Sequence, residues 1–112
     1  MNTKINTLGV NNIDIARNIS LITQWHYDRN LIDGSTDDKQ FMKLTQEIGE
    51  LSESLCKGQD IRDDIGDIFV VLVNLAERNG LTMDDCITTA WNDIKDRKGI
   101  MRDGIFIKEG DF

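Results

Sequence analysis

The chain contains no proline, a single histidine, a single tyrosine and only two cysteines in 112 residues. Without proline or any low-complexity stretch nothing marks an internal linker, and the length suits one domain. The expectation is therefore a single unit over residues 1–112, with its core at about 12–98 and a tail over 99–112. Cys56 and Cys86 fit neither a zinc-ligand spacing nor a disulfide framework, and read as reduced thiols on or near helix seams. No apolar run is long enough to cross a bilayer, and the stretch from Met1 to Asn6 lacks the apolar core of a secretory signal, so a soluble cytoplasmic protein is expected. Positive charge is scarce as well. With 13 Lys and Arg against 20 Asp and Glu the formal charge is −7, which argues against a general nucleic-acid binder, whose affinity rests on neutralising phosphates.

What the chain does have is a doubled acidic motif. Glu47-Ile48-Gly49-Glu50-Leu51 returns after a short interval as Asp64-Ile65-Gly66-Asp67-Ile68. Acids three residues apart lie on one side of a helix, so each segment presents a carboxylate pair beside an apolar seam. The seams are Phe41, Leu44, Ile48, Leu51 and Leu55 in the first segment, and Ile61, Ile65, Ile68, Leu72 and Leu75 in the second. If the two helices pack side by side, four carboxylates converge. Like charges brought together repel and hold protons more tightly, so this arrangement calls for hard divalent cations, Mg²⁺ first, with Mn²⁺ as a substitute. Gly49 and Gly66 each cost about 1 kcal/mol in a helix interior, and their place between the acids would let a neighbouring backbone or a ligand come close.

The rest of the chain reads as further helices. Met1–Val10 shows no period and reads as a lead-in; a first helix is expected from about Asn12 to Asn30, capped by Asn11 or Asn12, with Ile15, Ile19 and Ile22 at helical spacing. Trp25 and Tyr27 near its end either stack on a base or cover the end of the core; His26 extends the isoleucine row and reads as a packed histidine. After a polar turn, a second helix runs to about Lys57, with Asp37 and Gln40 resembling a capping box and Gly58 as its stop. A third is expected over about Ile61–Asn79, and a fourth from the Thr82 cap to about Arg97, where Gly99 ends it. On that fourth helix Ile87, Ala90, Trp91 and Ile94 share a face, which makes Trp91 the better core tryptophan and Trp25 the better candidate for a base. Asp103-Gly104 marks a turn leading into a short extended segment.

Glu47-x-x-Glu50, the spacer, Asp64-x-x-Asp67, and then Asn92-Asp93-Ile94-Lys95 followed by Asp96-Arg97-Lys98-Gly99 resemble the MazG-like group of all-α nucleotide pyrophosphohydrolases, over roughly Trp25 to Lys108. The resemblance departs at the third acid, where that group has glutamate and this chain has Asp64, one methylene shorter; Asp63 is an alternative. It implies Mg²⁺-dependent hydrolysis of nucleoside triphosphates between the α and β phosphates. Glu47, Glu50, Asp64 and Asp67 would be the metal ligands, Lys95 and Arg97 would meet phosphates, and Asn92 would donate a neutral hydrogen bond. One of the four acids, or Glu53 behind them, would orient the attacking water.

Two other readings compete. A diiron or dimanganese carboxylate bundle needs two Glu-x-x-His motifs, and the chain has only His26. A non-catalytic acidic helical module would carry the acids as a solvated face, the usual meaning of one isolated Glu-x-x-Glu; the repeat on the next helix, and thermal stabilisation by Mg²⁺, would separate it from an enzyme. The expected fold is all-α, four bundle-like helices with a short C-terminal extension. Phe69, Val70, Val71, Leu72, Val73 and Leu75 make the third helix apolar around much of its girth, so completion as a homodimer or homotetramer is expected, with no nucleic acid and no membrane as partners.

Overall fold

The structure is a computed structural model that describes residues 2–111, with side chains from residue 14 to residue 111. Four helices pack together and a short hairpin follows: α1 over Asn2–Asp28, α2 over Asp37–Lys57, α3 over Arg62–Arg78, α4 over Met83–Ile94, β1 over Gly99–Arg102 and β2 over Ile105–Lys108. Helix α1 starts far ahead of the expected Asn12, so Asn11 and Asn12 are interior positions rather than caps. The physical reason is that the lead-in contains no proline, and one glycine is too weak a breaker to stop a helix.

The other helix ends are written locally. Thr36 adopts an extended backbone and its hydroxyl accepts from the Lys39 amide at 3.2 Å, so the α2 cap lies one residue before the expected Asp37–Gln40 box. Gln40 instead donates to the Ser35 hydroxyl, and Asp37 pairs with Arg78 across the fold at 3.0 Å. Gly58 ends α2 in the left-handed region at φ 65°, where a side chain would be strained. Thr82 and Asp85 form a reciprocal capping box at the start of α4. That helix closes at Ile94, short of the expected Arg97. Gly99 is therefore not its terminator: it opens β1, where any side chain would collide with the Ile107 carbonyl and the Phe106 ring. The strands pair antiparallel, Ile100 opposite Ile107 and Met101 opposite Phe106. Asp103 and Gly104 turn the corner with φ of 54° and 80°, the double positive φ of a two-residue hairpin turn.

Helix α3 is the axis of the fold. Helix α2 packs along it, and α1 and α4 each lean on it. The apolar core consists of Ile32, Val71, Val73, Ala76 and Met83. At its centre is a polar knot: His26 is buried, and its Nε2 donates to the Val70 carbonyl at 2.9 Å while Nδ1 faces the Asn74 amide nitrogen at 3.3 Å. That amide also donates to the Leu31 carbonyl at 3.0 Å, and Arg78 reaches the Ile32 carbonyl. The turn after α1 is thus fastened to α3 through backbone acceptors, and His26 is the packed histidine expected from the sequence.

Much of the expected seam is not covered by the chain itself. Leu44, Leu51, Ile68 and Leu75 are half-buried, while Phe41, Ile48, Leu55, Ile65 and Leu72 stay exposed. Ile87, Ala90, Trp91 and Ile94 of α4 are exposed as well, so Trp91 is not a core residue of the chain; at 58 % exposure it is more open than Trp25 at 42 %. Both cysteines are free, Cys56 exposed and Cys86 half-buried. Among the described residues no helix is long and apolar enough to cross a membrane.

Candidate metal centre

Glu47 and Glu50 stand one turn apart on α2, and Asp67 faces them from α3. One carboxylate oxygen from each lies within 4.8 Å of the others, close enough to share a single cation. The three differ in setting: Glu47 is buried, Asp67 half-buried and Glu50 exposed. Lys43, one turn before Glu47, places its ammonium 3.0 Å from Glu47 Oε1. With both glutamates ionised the other oxygen, Oε2, is buried without a donor.

The proton affinities follow from this crowding. Glu47 is held below the usual carboxylate range because the Glu50 carboxyl and then Lys43 hydrogen-bond to it. Glu50 is pushed up by Glu47, through their close contact and the charge of Glu47. Asp67 is pushed up by burial first, then by the charges of Asp63, Glu47 and Asp64. The buried Oε2 of Glu47 has no hydrogen-bond partner. A divalent cation among the three carboxylates would satisfy that oxygen and remove the repulsion at once, and hard oxygen donors of this kind suit Mg²⁺.

The remaining candidates are placed less centrally. Asp64 lies one turn before Asp67 but outside the three-acid cluster, and Asp63 acts on Asp67 more strongly than Asp64 does. Glu53 is engaged with Lys57 at 2.6 Å. Asn92 and Lys95 are exposed, and Arg97 is tied to Asp93 at 2.6 Å; among the described residues no hydrogen bond or ion pair joins these three to the acids. A side chain added at Gly49 or Gly66 would meet nothing within 4 Å, so neither glycine serves a close helix crossing within the chain. Trp25 does lie near the acids. With Leu21, Ile22, Val70 and Asp67 it lines a cavity of about 390 Å³, so one wall of that cavity is also a member of the acid cluster. The Arg29 guanidinium lies 4.3 Å from the Trp25 ring centroid and occupies one face of the indole. The sequence reading missed Lys43. Its signal was present in the four-residue spacing to Glu47, which puts a cation on the same stripe of α2.

A helical bundle with paired acids on adjacent helices defines a class, and the sequence comparison names the family. The MazG nucleotide pyrophosphohydrolase domain matches residues 36–100, and the chain belongs to this family. The matched segment holds all three clustered acids and Lys43. The chain is also 48% identical over 68 residues to an uncharacterised 18.2 kDa protein from the rep-hol intergenic region of Haemophilus phage HP1 (strain HP1c1). That match covers 59% of this chain and 42% of the phage protein, so the chain spans less than half of its relative's length. No solved structure matches the chain.

Proposed function

We propose that the protein is an Mg²⁺-dependent nucleoside triphosphate pyrophosphohydrolase that cleaves between the α and β phosphates, releasing a nucleoside monophosphate and pyrophosphate. The observation that carries this reading is the convergence of Glu47, Glu50 and Asp67 around a buried carboxylate oxygen that lacks a donor, inside a MazG domain. A triphosphate is itself strongly anionic and would be repelled by bare acids. Bound here, Mg²⁺, or Mn²⁺ in its place, would neutralise the phosphates and acidify a water. Glu47 and Asp67 would anchor the ion, with Asp64 or Asp63 as a further oxygen from the preceding turn of α3. Glu50 is exposed and its proton affinity is raised, which suits it to take the proton of the attacking water. Glu53 would orient its neighbours from behind. Trp25 would stack on the base in the cavity it shares with Asp67. Lys95, Arg97 and Asn92 would meet the phosphates, Arg97 only after leaving Asp93.

The working form would be a homo-oligomer, a homodimer or a homotetramer. A folded 12.8 kDa chain typically exposes about 6,300 Å², whereas this one exposes 8731 Å². Its radius of gyration is 16.8 Å, against about 13 Å for a compact chain of this length. Apolar side chains on α2, α3 and α4 make up part of that excess. Sedimentation equilibrium should return at least twice the chain mass; a monomer at micromolar concentration would remove this part of the proposal.

Reaction in ¹⁸O-labelled water tests the chemistry. Attack at the α phosphorus places the label in the monophosphate. Label in pyrophosphate would move the attack to the β phosphorus, and labelled orthophosphate with a nucleoside diphosphate would reveal a γ-phosphatase and sink the reading.

A further inference from the structure

We propose that Lys43 is a built-in counter-cation of the acid cluster, one that an arriving divalent ion must displace, so that this side chain sets the metal affinity of the site. The inference rests on the cluster being a metal site, though not on the reaction carried out there.

Lys43, Glu47 and Glu50 recur at i, i+4 and i+7 and so form one stripe of α2, the stripe that faces Asp67. The Lys43 ammonium is the only cation in ion-pair contact with the three acids among the described residues, 3.0 Å from Glu47 Oε1. The two partners are very unequal. The Glu47 side chain is 7% exposed and held in place, while that of Lys43 is 53% exposed and free to swing into water. A dication takes a carboxylate oxygen at about 2.1 Å. Sharing Oε1 with it would leave the ammonium at most ~5 Å from the ion, too close for two like charges in a half-buried site. One of the two must go, and the exposed lysine is the mobile one. Its ion pair with a single carboxylate is worth only a few-fold in equilibrium, so displacement costs the ion little but not nothing. Lysine suits this role because its charge is compact and its stem is flexible.

A structural lysine and a displaceable one give different signatures. Lys43→Gln removes the charge and keeps much of the reach. In the metal-free protein it should lower the melting temperature, because three acids lose their one counter-cation. In saturating Mn²⁺ the variant should melt with or above the wild type. By calorimetry with Mg²⁺ alone and no nucleotide, its affinity should be about 2–5-fold tighter. Lys43→Arg, which keeps the charge, should bind Mg²⁺ within about twofold of the wild type. An unchanged or weaker Mg²⁺ affinity in Lys43→Gln overturns the proposal, as does an equal loss of melting temperature with and without metal. If the wild type itself binds neither Mg²⁺ nor Mn²⁺, the metal reading fails together with it; binding by the wild type with no change in the variant removes the role of Lys43 alone.

Discussion

Replacing Glu50 with glutamine should lower triphosphate hydrolysis by roughly 10²–10³-fold while leaving the helical fold intact. Glutamine has nearly the same shape, and Glu50 is exposed, so the substitution removes a charge without opening a cavity. What is lost is one of three converging carboxylates, and the proposed proton acceptor with it. The pH dependence of metal binding should change as well. In the wild type Glu50 is pushed up by Glu47, and Asp67 by burial and then by Asp63, so both hold protons at a pH where an ordinary carboxylate is bare. Protons and metal compete for the same oxygens. Mg²⁺ affinity should therefore rise with pH through the region just above the ordinary carboxylate range and level off once both groups are ionised. In Glu50→Gln the Glu50 share of that rise should vanish. Turnover measured at saturating Mg²⁺, with calorimetry across pH, checks both parts; near wild-type turnover would remove Glu50 from the site.

The features most legible in the sequence were those fixed by neighbours along the chain. Thr82 caps α4, Gly58 stops α2 and Asp103-Gly104 makes a turn, because each depends on a backbone amide or a φ within a few residues. The pairing of Glu47 and Glu50 with Asp67 was also legible, since helical spacing placed each acid and the short connection forced α2 against α3. Asp64 was not separable from Asp67 by spacing alone: both lie on the same side of α3, and only the tilt of the packed helices decides which oxygen comes within reach. The exposure of Trp91 was hidden for a similar reason. Periodicity shows that Ile87, Trp91 and Ile94 share a face but not how far it is covered, and among the described residues all three stay about half exposed. The start of α1 is not legible because the stretch before Asn11 shows no apolar period although its backbone is helical. Least legible was the contact between His26 and Asn74, which are 48 residues apart.

That contact carries the largest expected effect on stability. Asn74 is completely buried, and its amide nitrogen serves two acceptors, the Leu31 carbonyl and His26 Nδ1. Because the Val70 carbonyl can only accept, the imidazole hydrogen belongs on Nε2 and Nδ1 is left needing a donor, which among the described residues Asn74 supplies. Asn74→Ala would leave both acceptors unanswered and open a void beside Val71 and Val73. Each orphaned acceptor costs about 1–3 kcal/mol, so a total of about 2–6 kcal/mol follows, or a fall in melting temperature on the order of 10–30 °C. The Asn74 carbonyl oxygen, which has no donor in the native fold, is lost with the side chain and offsets a part of this. Asn74→Asp separates the two contributions. It fills the same space but at neutral pH brings only acceptors to two acceptors, so it should melt below Asn74→Ala despite the better packing. The knot also bears on the site, because the Val70 carbonyl held by His26 sits less than one turn after Asp67 and lines the same cavity as Trp25. Loosening it should let α1 drift from α3 and raise KM for the nucleotide more than it lowers kcat. Thermal melts at one fixed protein concentration, with steady-state kinetics on the folded fraction, test the chain of argument. An Asn74→Ala variant that melts within about 2 °C of the wild type would show that the knot does not hold the fold.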